Sequence, residues 1–359
     1  MAPGDERATD SKSRAGQRRG PARRRGSGRV SGRTARELLS YCKACEIEDF
    51  GHPDLLPIIQ EVFAGTEGCA HADFPLGRED RKHWEVAMSI RALRDHRALR
   101  TGAEVLGVGA GREATIFYLT EHVGRVYATD LYLSPGDWAT WAPPLMLVAP
   151  ERVAPMPFTR ERLVVQHMDG RWLRHPDASF DGVFSTSSIE HFGPLPDIAA
   201  AAFEMGRVLK PNGILSLSTE LKLAGPPDGT GWPGVLLFDR DSLWRYVVEA
   251  SGLELVDEPD LSMSEITLTS RRALDEIVAD WRRGDQRYPQ VVFTNEGYVF
   301  NSVHLTFRKT ERYPASDNSW ARPSEELRDS VRRREAEAIE RLTDHLSPAT
   351  DIERPREKE

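Results

Sequence analysis

Residues 104–111 have the sequence Glu-Val-Leu-Gly-Val-Gly-Ala-Gly, in which a short apolar run ends in alternating glycines. A helical pattern follows at 113–122. A buried strand, a glycine turn and a helix in this order are typical of a βαβ unit in a parallel sheet. Small residues also let the backbone approach a ligand closely at the carboxyl end of such a strand. The stretch therefore predicts an α/β fold that binds a nucleotide-like ligand at this turn.

Short apolar runs on the carboxyl side of this stretch have the length and spacing of strands, with helical patterns between them at 196–209 and 241–250. Together they predict a doubly wound, seven-stranded, mostly parallel sheet of the Rossmann-like type. The seven strands are expected at Glu104–Val108, Val126–Thr129, Leu163–Gln166, Gly182–Ser185, Ile214–Ser218, Leu253–Val256 and Val299–Phe307.

The chain of 359 residues is expected to divide into four parts. Residues 1–35 carry ten Lys and Arg against three acids, so their net charge of +7 leaves −15 for the remainder. This tail has too few apolar residues to form a core and is expected to be disordered. A helical cap follows at 36–100 and the sheet domain at 101–312. The last part, 313–359, contains a charged helix at 324–346 and a polar tail.

The composition also indicates the cellular compartment and whether a metal is expected. No stretch approaches the roughly 18 consecutive apolar residues of a membrane span, so a soluble, cytoplasmic protein is expected. The odd count of cysteines, Cys42, Cys45 and Cys69, argues against a disulfide framework. With His71 they offer four zinc ligands at a loose spacing, but buried thiols are the favoured interpretation and no metal is expected.

Acidic residues after the next two strands indicate what kind of nucleotide binds. Asp130 ends the second strand, 19 residues past Gly111, where a carboxylate accepts hydrogen bonds from both ribose hydroxyls. Asp169 follows the third strand, where it either accepts from an adenine amino group or caps a turn. A dinucleotide fingerprint needs glycine at position 112, which is arginine here. The pattern thus favours an adenosine ligand other than NAD.

At this point the chain resembles the class I S-adenosylmethionine (SAM)-dependent methyltransferases, and among them the small-molecule group with ubiquinone- and menaquinone-type members. The resemblance covers about 104–219. It rests on five motifs in order: Val-Leu-Gly-Val-Gly-Ala-Gly at 105–111, Ala-Thr-Asp at 128–130, Met-Asp-Gly at 168–170, Phe-Asp-Gly-Val-Phe-Ser at 180–185 with Ile-Glu-His-Phe at 189–192, and Gly-Arg-Val-Leu-Lys-Pro-Asn-Gly at 206–213.

The resemblance implies SAM as the cofactor, and it implies a set of binding residues along these motifs. Two departures from the family pattern stand out. Gly107 replaces the usual acid, and Glu113 replaces the usual third glycine, so Glu85 or Arg112 is a candidate to order the SAM amino group. The implied cofactor-binding residues are Gly107, Gly109, Gly111, Asp130, Leu131, Met168, Asp169, Gly170 and Ser185.

The expected reaction is methyl transfer from SAM to a small-molecule acceptor, such as a sugar or natural-product hydroxyl, with release of S-adenosylhomocysteine (SAH). His191 is the candidate general base, because it follows the fourth strand on the substrate side of the sheet. The alternative is that His191 packs beside the adenosine or bonds a backbone carbonyl. Residues 131–160, with Trp138 and Trp141, are expected either to cover the acceptor or to cover a face of the sheet.

Three other functions remain open. The basic tail allows RNA methylation, although the acidic body and the lack of an aromatic base-handling motif after 182–185 argue against nucleic acid. The two departures allow a non-catalytic SAM-binding or interaction module. A nicotinamide oxidoreductase is disfavoured by Arg112 and by the late seventh strand.

Overall fold

The computed structural model describes residues 38–63, 65, 69, 72–227 and 230–346. The predicted basic tail at 1–35, and His71, lie outside these residues. The amino-terminal part contains strand β1 (Lys43–Ala44) and helices α1 (Leu56–Phe63) and α2 (Arg81–Asp95). Asp80 begins α2 by accepting a hydrogen bond from the backbone N–H of Lys82 over 2.9 Å. The sequence predicts a helical cap here, but β1 pairs with β12 and joins the central sheet, so this part is not purely helical.

The first half of the α/β domain follows the predicted order of strands and helices. It consists of β2 (Glu104–Val108), α3 (Ala114–Thr120), β3 (Arg125–Asp130), the short helices α4 (Trp138–Trp141) and α5 (Leu145–Val148), and β4 (Leu163–His167). Strands β2, β3 and β4 are parallel neighbours, with Val105 opposite Val126 and Val126 opposite Leu163. Their carboxyl ends meet at one edge of the sheet.

The second half adds the remaining long strands and a hairpin. It consists of β5 (Phe180–Thr186), α6 (Leu195–Val208), β6 (Leu209–Ala224), the hairpin of β7 (Gly231–Trp232) and β8 (Val235–Leu236), and α7 (Arg240–Leu243), which continues as a π-helical segment, Trp244–Glu249. The chain ends with β9 (Glu254–Leu255), α8 (Glu265–Thr269), β10 (Arg272–Ala273), α9 (Leu274–Arg283), β11 (Phe293–Asn295), β12 (Tyr298–Arg308) and α10 (Glu325–Leu346).

Among the described residues the central sheet has ten strands, and its main path runs β10-β11-β12-β6-β5-β2-β3-β4. Strand β12 lies antiparallel to β6, while β6, β5, β2, β3 and β4 are parallel. All seven predicted strands occur, and the doubly wound, mostly parallel fold is confirmed. The short strands β1, β10 and β11 are additions, because each depends on pairing with a distant part of the chain.

Both faces of the sheet are covered, which explains why its strands are apolar on both sides. Successive residues of β2 face opposite ways: Val105 belongs to the same buried cluster as Phe117 of α3, and Leu106 belongs to the same cluster as Ile198 of α6. Helix α2 adds a further layer, and Ser89 in it accepts a hydrogen bond from Ser216 over 3.0 Å.

The three cysteines are buried free thiols. Cys42 packs in the cluster of α6 and β6, whereas Cys45 and Cys69 pack in the cluster of α1 and α2. In the described part of the chain, no helix combines the length and apolar character needed to cross a membrane.

Candidate functional site

A cavity of about 360 Å³ opens at the carboxyl ends of β2, β3 and β4. Ligands of open α/β sheets bind at this edge, in the crevice beyond the strand ends. The structure brings seven of the ten predicted site residues to the cavity wall. These are Gly109, Asp130, Leu131, Met168, Asp169, Gly170 and His191.

Two of the cavity glycines make room for neighbouring side chains of the protein. A Cβ at Gly109 would lie 2.4 Å from Oγ of Ser188, and one at Gly170 would lie 2.6 Å from Cε2 of Phe192. Gly109 also has a φ of +63°, which side chains rarely adopt. Both glycines line the cavity, so their backbone can contact a ligand bound there.

The other three predicted residues, Gly107, Gly111 and Ser185, are not part of the cavity wall. A Cβ at Gly107 would lie 2.5 Å from Cζ of Phe184, so this glycine makes room for an aromatic ring of the neighbouring strand. Gly111 has a φ of +51° and donates its N–H to Asp130. Gly107 thus packs the sheet, Gly111 acts through the carboxylate of Asp130, and a direct role for either toward a cofactor stays a prediction.

Asp130 is 4% exposed and already holds three donors. Its Oδ2 accepts from the N–H of Gly111 over 2.8 Å, and its Oδ1 accepts from the N–H of Leu131 over 2.6 Å and from Nε1 of Trp138 over 2.9 Å. Burial raises the pKa of Asp130, and these three donors oppose that rise. A carboxylate offers about four acceptor positions, so one remains for a ligand unless Trp138 moves.

Asp169 is occupied by two arginines. Arg171 donates to it from its backbone N–H over 3.0 Å, from Nε over 2.9 Å and from Nη2 over 2.7 Å. Arg334 of α10 donates from Nη1 over 3.1 Å, so all four acceptor positions of the carboxylate are filled. Burial alone would raise the pKa of Asp169, but the hydrogen bonds and charge of Arg171, with Arg334, hold it below its usual value. An adenine amino group therefore has to displace a donor, and the simplest to displace is Arg334, which is 45% exposed.

His191 lies in the cavity wall with its tautomer fixed by one hydrogen bond. Its Nδ1 is 2.7 Å from the carbonyl of Gly234 in the β7–β8 hairpin, and since a carbonyl only accepts, Nδ1 carries the proton. Desolvation by the surrounding protein lowers the pKa of His191, against the effect of this hydrogen bond. The imidazole is therefore neutral near pH 7, and Nε2 has a free lone pair. Its ring packs edge-on against Trp138, at 5.4 Å between centroids.

Next to the cavity lies a buried group of charged side chains that the sequence did not reveal as one cluster. Arg81 donates two hydrogen bonds to Glu220, and the one from Nη2 measures 2.6 Å. Glu190 accepts from Thr219 over 3.0 Å, and its other oxygen is buried without a hydrogen bond. Burial and the neighbouring Glu220 raise the pKa of Glu190 well above its usual value. Glu190 is thus a protonated, structural acid near pH 7.

Unpaired hydroxyl groups also mark this edge of the sheet. The Oγ atoms of Ser185, Ser187 and Ser218 and the Oγ1 atom of Thr186 are buried and have no hydrogen-bond partner. Ser187 has a φ of +43°, in a region that residues other than glycine rarely adopt. Buried hydroxyls without partners are costly, and they concentrate where a polar ligand supplies the partner.

A comparison with known protein families adds to the evidence from the fold and the cavity. Residues 106–217 match the model of a family described as a methyltransferase domain. The match confirms the prediction of a methyltransferase and supports SAM as its methyl donor. The buried carboxylate of Asp130 in the cavity wall has the chemistry to accept hydrogen bonds from the ribose of SAM. The ubiquinone- and menaquinone-type subgroup stays a prediction.

Several solved structures are similar to this chain at low identity. The YcgJ protein of Bacillus subtilis is 18% identical, with 64% of this chain and 99% of that chain covered and a TM-score of 0.41. A putative sarcosine dimethylglycine methyltransferase of Galdieria sulphuraria is 16% identical over 64% and 86%, with a TM-score of 0.41. The 1,6-didemethyltoxoflavin-N1-methyltransferase of Burkholderia thailandensis, solved with SAH, is 20% identical over 74% and 92%, with a TM-score of 0.38.

Likenesses of this extent are not evidence of a shared substrate. A comparison with curated proteins found no match for this chain.

Proposed function

We propose that the protein transfers the methyl group of SAM to a hydroxyl of a small-molecule acceptor, such as a sugar or another natural product, and releases SAH. His191 is the general base in this proposal. The observation that carries it is the neutral imidazole of His191 in the cavity wall, with Nδ1 bonded to Gly234 and the lone pair of Nε2 available.

Bound SAM supplies an electrophilic methyl group together with its own leaving group. The residues of this chain that would hold it are Gly109 and Gly170, whose backbone lines the cavity, and Asp130, which accepts from the ribose hydroxyls. Met168 and Leu131 provide apolar walls of the same cavity. These assignments follow from the positions of these residues in the cavity wall and from the buried carboxylate of Asp130.

The work left to the protein is positioning and the removal of one proton. Holding acceptor and donor in a reactive arrangement is worth about 7–11 kcal/mol. A positioned base adds a factor of about 10²–10⁴. Nε2 of His191 takes the hydroxyl proton, and the Nδ1 hydrogen bond to Gly234 keeps the imidazole in the tautomer that can do so.

The elements around the cavity favour a small acceptor over a macromolecule. The β7–β8 hairpin reaches it through Gly234, α4 through Trp138 and α10 through Arg334. Trp138 and Arg334 thus form part of the cavity wall, and Gly234 contacts it through His191, which leaves a site of small-molecule size. Outside the basic tail the chain is also acidic, with a net charge of −15, which disfavours RNA.

The experiment is a methyl-transfer assay with methyl-labelled SAM, a panel of hydroxylated small molecules, and total RNA as a second acceptor class. Label is expected in the small-molecule fraction and should fall about 10²–10⁴-fold for His191→Ala, with SAH affinity unchanged. The rate should rise with pH through a midpoint below 6.5 and then level off, because the active form is the neutral imidazole and its pKa is lowered. Label in RNA, or full activity of His191→Ala, would contradict the proposal.

A further inference from the structure

The two departures from the family pattern complement each other in the structure. Position 107 has no room for a side chain, because a Cβ there would lie 2.5 Å from Phe184 and 2.8 Å from Cβ of Ala110. Position 113, where the family has glycine, carries a glutamate that directly precedes α3. The glycine turn thus has no acid before it, at position 107, and has one after it, at position 113.

Glu113 belongs to a short row of charges with Lys82 and Glu85 of α2. Nζ of Lys82 lies 3.7 Å from Oε1 of Glu113 and 3.0 Å from Oε2 of Glu85. The side chain of Lys82 is 46% exposed, so a ligand can reach its ammonium group. Glu85 is fully buried and also accepts from Ser302. One cation is therefore shared between two carboxylates.

The carboxylate of Glu113 can accept further hydrogen bonds. Its Oε2 is buried and has no partner at hydrogen-bond distance. The hydroxyl of Thr186, which is 3% exposed, lies beside this carboxyl and lowers its pKa as a hydrogen-bond donor does. A carboxylate has about four acceptor positions, so Glu113 can also accept from a ligand.

The carboxyl of Glu113 titrates near neutral pH. Burial raises the pKa of Glu113 to about 7, with Lys82 and the hydroxyl of Thr186 lowering it and Glu85 raising it further. The hydroxyl of Tyr132 donates to the carbonyl of Gly111 and is also near enough to interact with the charge of Glu113. Burial alone would lower the pKa of Lys82, but Glu85 and Glu113 raise it, so Lys82 stays charged. The carboxyl of Glu113 is thus about half protonated at pH 7, and a bound cation would displace its proton.

On the basis of the proposed function, we infer that Glu113 and Lys82 bind the amino-acid end of SAM, with Glu113 accepting from its α-ammonium group and Lys82 donating to its α-carboxylate. A zwitterion matches this pair in charge, because it carries one ammonium and one carboxylate group. Glu85 is a positioning residue, because its ion pair with Lys82 holds the ammonium group beside Glu113.

The test compares two ligands by calorimetry at pH 7. SAH carries the amino acid, whereas 5′-methylthioadenosine has the same adenosine and sulfur without it. Titrations in two buffers of different ionisation enthalpy give the number of protons released. For the wild type, SAH binding should release about half a proton from Glu113 and methylthioadenosine binding none.

Three variants separate the contributions. Glu113→Gln should abolish the proton release and weaken SAH binding by about 10- to 100-fold, a range set by hydrogen bonds to charged groups. Lys82→Met should weaken SAH binding as well, and both variants should bind methylthioadenosine within twofold of the wild type, which shows that the cavity is intact. The matched control is Glu121→Gln, an exposed acid at the other end of α3.

The outcomes distinguish this inference from the proposed function. If Glu113→Gln keeps the wild-type proton release and the wild-type ratio of SAH to methylthioadenosine affinity, the inference is wrong and the proposed function stands. Equal weakening of both ligands would also overturn it, because Glu113 would then shape the cavity and not bind the amino acid. If the wild type binds neither ligand, the proposed function fails together with the inference.

Discussion

Replacing Asp130 by asparagine tests the ribose contact without changing the size of the side chain. The carboxylate holds three donors in the structure, and two of them are the backbone N–H groups of Gly111 and Leu131. The third is Nε1 of Trp138, at 2.9 Å. Since a carboxylate has about four acceptor positions, two ribose hydroxyls can bind only if Trp138 gives up its hydrogen bond.

The expected loss of affinity follows from this exchange. A hydrogen bond to a charged group contributes about 1.5–3 kcal/mol. Two bonds are gained on binding and one from Trp138 is lost, so the net contribution is about one such bond, or about 1.5–3 kcal/mol. At 1.4 kcal/mol per tenfold change, SAH should bind Asp130→Asn about 10- to 150-fold more weakly than the wild type.

The assay is a calorimetric titration of SAH into each protein, with Asp137→Asn as the control. Asp137 is an exposed acid one residue before α4, so its substitution should leave SAH affinity unchanged. Tryptophan fluorescence should also change on SAH binding, because Trp138 loses its hydrogen bond, and Trp138→Phe should remove that part of the signal. A folded Asp130→Asn variant that binds SAH within threefold of the wild type would refute the reasoning.

Three further predictions concern the packing, the buried acids and the carboxyl-terminal helix. Gly107→Ala should lower the free energy of unfolding by about 1–3 kcal/mol in thermal melts, because its Cβ would meet Phe184; unchanged stability with lost SAH binding would place this glycine in the cofactor site instead. Glu190→Gln should be more stable than the wild type at pH 8.5 by about 1–3 kcal/mol and similar to it at pH 5, since a raised carboxyl pKa makes the wild type lose stability as pH rises above 4.5. Equal melting curves at both values would show that Glu190 titrates normally. Arg334→Ala should tighten SAH binding by up to about fivefold in calorimetry, because a half-exposed ion pair is worth at most about 1 kcal/mol and its loss frees Asp169 for the adenine; weaker binding would show that Arg334 itself holds the ligand.

The sequence predicted the central elements because their signals are local. The strand Glu104–Val108 has the predicted bounds, and the predicted helix at 196–209 is found at Leu195–Val208. Apolar runs and apolar periodicity determine such elements without reference to distant residues. The same motifs located the cavity, because glycines and acids at the carboxyl ends of parallel strands meet at one edge of the sheet.

What the sequence did not predict depends on contacts between distant residues. Strand β1 forms only because Lys43 and Ala44 pair with His304 and Val303. Arg334 reaches Asp169 from a helix 165 residues further along the chain. The ion pair of Arg81 with Glu220 likewise joins residues 139 positions apart. No local sequence pattern predicts these pairings, because a charged residue taken alone is expected to be exposed to solvent.

Gly107 shows how one motif position supports two interpretations. Its place in the glycine turn suggested contact with the cofactor, but the ring of Phe184 occupies the space beside it. The requirement for glycine is the same in both interpretations, because each needs a position without a side chain. Only the neighbouring strand decides between them.

The central claim is that the cavity beyond β2, β3 and β4 binds SAM, and the most direct measurement is a crystal structure of the protein grown with SAH. The account predicts SAH in this cavity, with the ribose hydroxyls on Asp130, the adenine beside Gly170 and the sulfur on the side of His191. SAH bound elsewhere on the protein, or this cavity without SAH at saturating concentration, would contradict it.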